Sequence, residues 1–417
     1  MKIAIVGTGI SSLTAARMLS QKYEISVFES SNRLGGHTAT KVIEREGVEY
    51  PVDTGFIVFN DKTYPNFIKL MNRLGVKFRN SSMGFSVSDY ETGLEYAGRS
   101  LDTMFAQRSN MLKPNFIRMV SDIVRFNKQS SHALEMGSIP PDQSLSDWLK
   151  QGKYGALFCS HYLVPMGSAI WSTSITDMLK MPALFFIRFF KNHGLLQIKD
   201  RPQWMVLEGG SQAYLEPLVV PFKSQIFLNH HISTIERSSK GVSLHFEGPP
   251  SQHFDHVVIG CHSDEALKLL KNPSVEEQQI LGAIPYVQNE VTLHQDTSLM
   301  PRNRKAWSAW NYRMGASETD LPILSYNMNI LQHHPEAHPF IVTLNANRLI
   351  NPDKVLGNYQ YSHPVFNAES VAAQQKWNLI NGVQRTWFCG AYWRNGFHED
   401  GCFSGIRVAN KLGVSWQ

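Results

Sequence analysis

Residues 2 to 29 constrain the fold more than any other part of the chain. Lys2-Ile3-Ala4-Ile5-Val6 is a short apolar run of the kind buried on both faces of a parallel sheet. Gly7-Thr8-Gly9-Ile10-Ser11-Ser12 turns at once into a segment with Leu13, Ala16 and Leu19 on one helical face, and Glu24-Ile25-Ser26-Val27-Phe28 follows as a second strand closed by Glu29. These pieces make a βαβ start. A helix that opens at a glycine turn aims free N–H groups and the positive end of its dipole at one point, where a phosphate pair can sit. Gly7 supplies the turn, Gly9 the close backbone approach, and Ser11 stands at the helix start. The third glycine of the G-x-G-x-x-G pattern is replaced by Ser12, small enough to be tolerated at some cost in spacing. Glu29 follows Gly9 by 20 residues, the place of an acid that grips a ribose hydroxyl, and its charge would repel a 2′-phosphate. NAD and FAD both remain.

What separates them lies outside this fingerprint. Ser30-Ser31-Asn32-Arg33-Leu34-Gly35-Gly36-His37-Thr38 follows Glu29, and Val52-Asp53-Thr54-Gly55-Phe56 lies further on. A long cofactor folded across the sheet needs a second glycine turn to admit it and a cation near its phosphates. Gly35 with Gly36 fits the first need and Arg33 the second. Near the C-terminus, Trp387-Phe388-Cys389 reads as a strand entering a glycine-rich loop from Gly390 to Gly405. A helix is predicted from about Ser404 to Leu412, opened by Gly401 to Ser404, with Lys411 in its last turn and Gly413 just past its end. Such a helix start, aimed at a reduced flavin, would stabilise its negative charge.

Strands of this character at both ends and near the middle imply one domain assembled from separated segments. The expected architecture is α/β: a discontinuous Rossmann-like FAD-binding domain over residues 1–60, 205–270 and 384–417, and a second, mixed-sheet plus helical substrate domain over 61–204 and 271–383. Within these, residues 62 to 150 read as mostly helical with a hairpin around Phe85 to Tyr96. Segments 104–128 and 178–196 read as apolar helices. Strands are predicted at Ser224–Leu228, Gly241–Phe246 and His256–Gly260, and a largely stranded block over Glu290 to Asn347.

Composition sets outer limits. With 42% hydrophobic and 18% charged residues the 417-residue chain is neither disordered, collagen-like nor coiled coil. A net charge of +5 is too weak to argue for nucleic acid. The four cysteines form no C-x-x-C pair, and the histidines stand as adjacent pairs or alone, so neither a metal site nor a disulfide framework is expected. No secretory signal pattern or membrane-length apolar run is found, and the expected location is cytoplasmic.

Gly7 to Ser12, Glu29, Arg33 to Thr38, Asp53 to Gly55 and Gly390 to Gly405 together resemble the flavin-containing amine oxidoreductase superfamily, which includes monoamine oxidases, protoporphyrinogen oxidase and phytoene desaturases. More closely, Val52 to Asn60, His256 to Asp264 and Gly396 to Gly401 resemble a bacterial subfamily of FAD-dependent oxidoreductases associated with cyclopropane fatty acid synthases. The resemblance spans nearly the whole chain. It implies FAD held by Gly7, Gly9, Ser11, Ser12, Glu29, Ser30, Arg33, Gly35, Gly36, His37, Thr38, Thr54, Gly55, Gly390, Ala391, Asp400, Gly401 and Ser404, with the backbone of Ile232 at the adenine. The family's acidic residue after the strand-end glycine is missing, since Ala391 and Tyr392 follow Gly390. A backbone group or another side chain, with Asp400 the candidate, would hold the ribityl chain instead.

His398, Glu399 and Asp400 are the clustered titratable groups beside the expected flavin. His398 and Glu399 are therefore the candidate acid–base residues. The alternative is that the cluster caps the helix and binds cofactor oxygens, because flavin hydride abstraction does not always demand a protein base. Residues 104 to 128 carry Arg108, Lys113, Arg118, Arg125 and Lys128 against Asp122, and 178–196 is similar; either could lie in a membrane interface or be a core helix with a basic edge. The expected substrate is a fatty-acyl chain of a membrane lipid, giving up a hydride to flavin N5. The protein partner that the resemblance implies is a lipid methyltransferase. The rivals are an amine oxidase or carotenoid-type desaturase on the same scaffold, and a non-catalytic flavin-binding partner of that methyltransferase.

Overall fold

The computed structural model describes residues 1–197, 199–315 and 321–416. Residues 316–320, inside the predicted strand block from Glu290 to Asn347, lie outside the described residues. Lys2–Val6 is the centre of a five-stranded parallel sheet, because its Ile3, Ala4 and Ile5 have apolar neighbours on both faces and are fully buried. Glu24–Phe28 pairs on one side and His256–Ile259 on the other, with Ile226–Phe227 and Thr386–Phe388 at the edges. Segments far apart in sequence thus share one sheet. An antiparallel sheet of Ile232–Ser238, Gly241–Phe246 and Gln252–Phe254 packs onto the same core.

The helix after the glycine turn runs Ile10–Leu19 and packs against the C-terminal helix. That helix spans His398–Lys411, so it begins at His398 and not near Ser404 as predicted. The reason is Asp400: its carboxylate accepts from the N–H groups of Asn395 and Phe397 and starts the helix more than a turn before Ser404. Gly401 and Gly405 lie inside the helix and serve packing. A methyl added at Gly405 would lie 2.3 Å from Ser11 O, and one at Gly401 2.7 Å from Ile10 Cγ2.

A mixed seven-stranded sheet faces the parallel one. Its order is Val355–Pro364, Tyr286–His294, Ile341–Leu344, Ile323–Asn327, Trp310–Met314, Phe85–Asp89 and Glu95–Ala97. The predicted hairpin is therefore real and closes one edge, whereas the long strand Val355–Pro364 lies beyond the block expected to be stranded. Segment 104–128 divides at Lys113-Pro114, where proline opens the helix Pro114–Glu135. Segment 178–196 contains a core helix, Ala183–Asn192, whose Phe186, Ile187, Phe189 and Phe190 are buried; the membrane-interface alternative does not apply to it. No helix of the described residues is long and apolar enough to cross a membrane.

Candidate active site

A cavity of about 720 Å³ runs between the parallel and the mixed sheet. At one end its wall is formed by Gly7, Gly9, Ser11, Glu29, Ser30, Gly35 and Gly36. Gly7 has φ +86°, the left-handed turn that glycine adopts freely. No side chain caps the helix that starts after Gly9, and nothing lies within 4 Å of where a Gly9 methyl would stand. The first N–H groups of that helix are therefore open to the cavity, a ready anion seat. Glu29 is held at the strand end by Thr8, whose N–H and hydroxyl donate to Glu29 Oε2 at 3.0 and 2.5 Å. Ser31 N–H donates to the other oxygen at 2.9 Å.

Ile232 stands on the wall beside the Glu29 end, where His230 N–H donates to Glu29 O at 2.9 Å, and His37, Thr54, Gly55, Gly390, Ala391 and His398 stand further along. Gly55 is required by close approach: a methyl there would meet His37 O at 2.0 Å. The remaining expected residues sit behind the wall. Ser12 donates to Val6 O at 3.1 Å, and Ser404 Oγ accepts from Gly390 N–H at 3.0 Å. Gly401 lies in the helix packing. Thr38 Oγ1 contacts Tyr214 Oη at 2.5 Å and His398 Nε2 at 3.0 Å.

Three expectations are corrected. Arg33 was expected to face phosphates, but its guanidinium donates to the carbonyls of Leu34, Gly36 and Thr38 at 3.3, 2.7 and 3.0 Å, pinning the second glycine turn. Asp400 was the candidate ribityl holder, but its carboxylate is spent on the helix start described above and faces Arg394 Nε at 3.5 Å. Burial raises its pKa to about 6. Glu399, a candidate base, turns from the cavity and caps the helix Pro65–Leu74, accepting from Asn66 Nδ2 at 2.6 Å, Asn66 N–H at 3.0 Å and Phe67 N–H at 2.9 Å. Of the titratable cluster only His398 reaches the wall. Its ring stacks on Phe56 at 3.5 Å, and burial pushes its pKa down to about 3, so it is neutral at physiological pH.

Several wall residues were not foreseen. His262 and His363 surround His37 with ring centroids 5.7 and 5.5 Å away, and Tyr286 stacks on His262 at 4.5 Å. Asn289 Nδ2 donates to His363 Nδ1 at 3.1 Å, so the neutral ring carries its proton on Nε2. Burial, then the neighbouring His262, lowers the His363 pKa to about 4. Trp171, Trp310, Tyr326 and Phe366 line the far end. The alternation of Tyr359, Tyr361 and His363 along one strand was the sequence signal available for that face.

A cavity reached by two glycine turns, an open helix start and a strand-end acid defines a dinucleotide-type flavoprotein. The chain belongs to the flavin containing amine oxidoreductase family, which matches over residues 10–315. FAD is its cofactor, and the open N–H groups beside Gly9 fit the pyrophosphate of that group. The chain is 24% identical over 340 residues to an L-amino-acid oxidase of Siganus canaliculatus, covering 77% of this chain and 60% of that protein's length. The chain thus spans less than two thirds of that curated relative. Solved structures share the fold throughout. A CLA-producing fatty acid isomerase from P. acnes superposes with a TM-score of 0.70 at 15% identity, covering 99% of this chain and 98% of the other. Cyclohexylamine oxidase from Brevibacterium oxydans IH-35A gives 0.68 at 16%, covering 99% of each.

Proposed function

We propose that the protein is an FAD-dependent oxidoreductase that takes hydride from an apolar substrate, a fatty-acyl chain of a membrane lipid. The observation that carries this reading is the character of the far end of the cavity, walled by Ile57, Val58, Trp171, Trp310, Leu344 and Phe366 among others. Among the described residues, the charged side chains on the whole wall are Glu29, Glu265 and Lys268, and they stand at the glycine-turn end. An acyl chain gains about 0.8 kcal/mol per buried methylene in such a place, whereas a carboxylate or ammonium group would find no ionic partner. Bound FAD supplies a two-electron acceptor at its N5.

The chain's own residues hold and shape. The N–H groups after Gly9 bind the anionic pyrophosphate, Glu29 accepts from a ribose hydroxyl, and the start of the C-terminal helix presents its positive end at Phe397 and His398. Neutral His398 is a member of the wall that hydrogen-bonds behind it to Thr38 and Tyr214, and Glu399 and Asp400 act by fixing the elements around it. On this reading segments 1–60, 205–270 and 384–417 hold the nucleotide, and 61–204 with 271–383 enclose the substrate. The likeness to a bacterial subfamily associated with cyclopropane fatty acid synthases, and a fatty acid isomerase among proteins of the same fold, support an acyl substrate. Amine oxidation is the second reading, favoured by the names of the other relatives and by the Trp310–Tyr326 aromatic pair, 5.2 Å apart.

Aerobic incubation of the holoprotein with phospholipid, followed by mass spectrometry of the acyl chains, tests the choice. Chains lighter by two hydrogens, or carrying added oxygen, are expected. Unchanged chains, together with peroxide release from simple amines, would transfer the assignment to amine oxidation.

A further inference from the structure

A second cavity, of about 350 Å³, shares no wall residue with the first. It lies under the hairpin Phe85–Ala97 and is lined by Tyr90, Gln107, Ser298, Arg302 and Arg313 among others. Both guanidinium groups sit over the Tyr90 ring, 5.0 Å from its centroid for Arg302 and 4.5 Å for Arg313. Arg313 Nε is buried without a hydrogen-bond partner, and Arg313 Nη1 reaches Ser298 O only at 3.5 Å. Among the described residues neither guanidinium pairs with a carboxylate. The two acids on the wall are committed elsewhere. Glu95 accepts from the N–H groups of Arg302 and Asn303 at 2.7 and 2.8 Å, and Asp89 accepts from Thr92 Oγ1 at 2.6 Å and the Glu91 N–H at 2.9 Å, with His161 at 3.1 Å. Two adjacent cations without a carboxylate partner among the described residues, in a half-enclosed pocket, are a fork for a tetrahedral anion.

What surrounds the pocket says where that anion comes from. Gln107 belongs to a segment that also carries Leu101, Met111 and Leu112, which are 75%, 48% and 87% exposed. The segment is tied to the arginine loop by Asn303 Nδ2 donating to Ala106 O at 3.0 Å and by Lys305 Nζ at 3.1 Å from Asp102. Arg304 and Lys113 add positive charge nearby, while Lys305 is paired with Asp102. Exposed leucines beside a basic cluster match an anionic bilayer surface, where the apolar side chains enter the acyl layer and the cations meet phosphates. A free phosphate would leave the leucines unexplained.

We propose that this pocket seats the phosphate of an anionic phospholipid headgroup, docking the protein on a membrane through Arg302, Arg313 and Tyr90 with Leu101 and Leu112 beside them. The docking is independent of the substrate assignment, because binding is measured without turnover. The holoprotein is floated with phosphatidylcholine vesicles that contain or lack phosphatidylglycerol. It co-floats only with the phosphatidylglycerol vesicles, and the R302Q/R313Q double variant binds about a hundredfold or more weakly, beyond the roughly thirtyfold that two surface charges alone would cost, with its flavin absorbance intact. The single variant Arg302→Gln, at an exposed side chain, carries the test if the double variant fails to fold. Arg304→Gln, outside the pocket, costs only the roughly fivefold of a single surface charge, less than Arg302→Gln does. An equal loss in Arg304→Gln would show diffuse charge attraction and overturn the pocket. So would titration by inorganic phosphate without vesicle binding, which would assign a free anion, or the absence of both.

Discussion

Ser12 stands where the nucleotide fingerprint places its third glycine, and the missing space is recovered across the sheet. Ser12 Oγ donates back to Val6 O, and opposite it Gly260 leaves the room: a methyl at Gly260 would lie 2.0 Å from Ser12 Oγ and 3.0 Å from Cys389 Sγ. The small residue has in effect moved from the helix to the end of the neighbouring strand. Gly260→Ala is therefore expected to cost about 1–3 kcal/mol in chemical denaturation at saturating FAD, and less in a Ser12→Gly background. Strict additivity of the two substitutions would contradict the contact. Glu399 makes a second residue-scale case. Because its carboxylate answers three N–H donors at the start of the helix Pro65–Leu74, Glu399→Ala should destabilise the protein by about 1–3 kcal/mol while leaving the flavin spectrum unchanged. Full stability with lost turnover would instead mark Glu399 as catalytic.

At the scale of elements, the packing of the C-terminal helix on the helix Ile10–Leu19 couples one end of the cofactor cavity to the other. Gly405 lies in that contact, where an added methyl would meet Ser11 O at 2.3 Å and Ala15 N at 3.0 Å. Gly405→Ala should push the helices apart and weaken FAD binding about tenfold or more, read from recovery of free flavin fluorescence on dilution; unchanged affinity would show that the two helices do not act as a unit. The βαβ start was legible because its signals are local: an apolar strand, a glycine turn and a periodic helix within one stretch. The start of the C-terminal helix was misplaced because Gly401 to Ser404 imitates a helix opening, while the true signal was Asp400 reaching back to Phe397 N–H. Val355–Pro364 escaped notice because its residues are half-buried or exposed along its length, without the apolar run of a core strand. Glu399 could not be assigned from sequence at all, since its partner Asn66 is 333 residues away. Arg33 illustrates the same limit at short range, because a cation beside glycines points equally well to phosphates and to carbonyls until the turn is folded.

Over the whole molecule, burial leaves an unusual set of neutral histidines. His193, His294, His334 and His363 are pushed down to about 4 and His398 to about 3, in each case chiefly by burial. Each is depressed below the ordinary value of about 6.5, so as pH falls through that value the unfolded chain takes up protons that the folded chain refuses. Asp53 and Asp400, raised by burial to about 6, and Glu399, also raised by burial, act the other way, but with His37 and His256 lowered in the same sense they are three against seven. The melting temperature should therefore drop as pH is lowered from about 6.5 toward 4.5, and His363→Gln should soften the drop; a flat or rising profile would contradict the buried neutral histidines. The proposal of an acyl substrate rests on the same low-dielectric interior at the far end of the first cavity. The most direct test of that claim is anaerobic mixing of the holoprotein with phospholipid on one hand and simple amines on the other, following the absorbance of the oxidised flavin. Bleaching by the phospholipid and not by the amines is expected; bleaching by amines alone would contradict the acyl assignment.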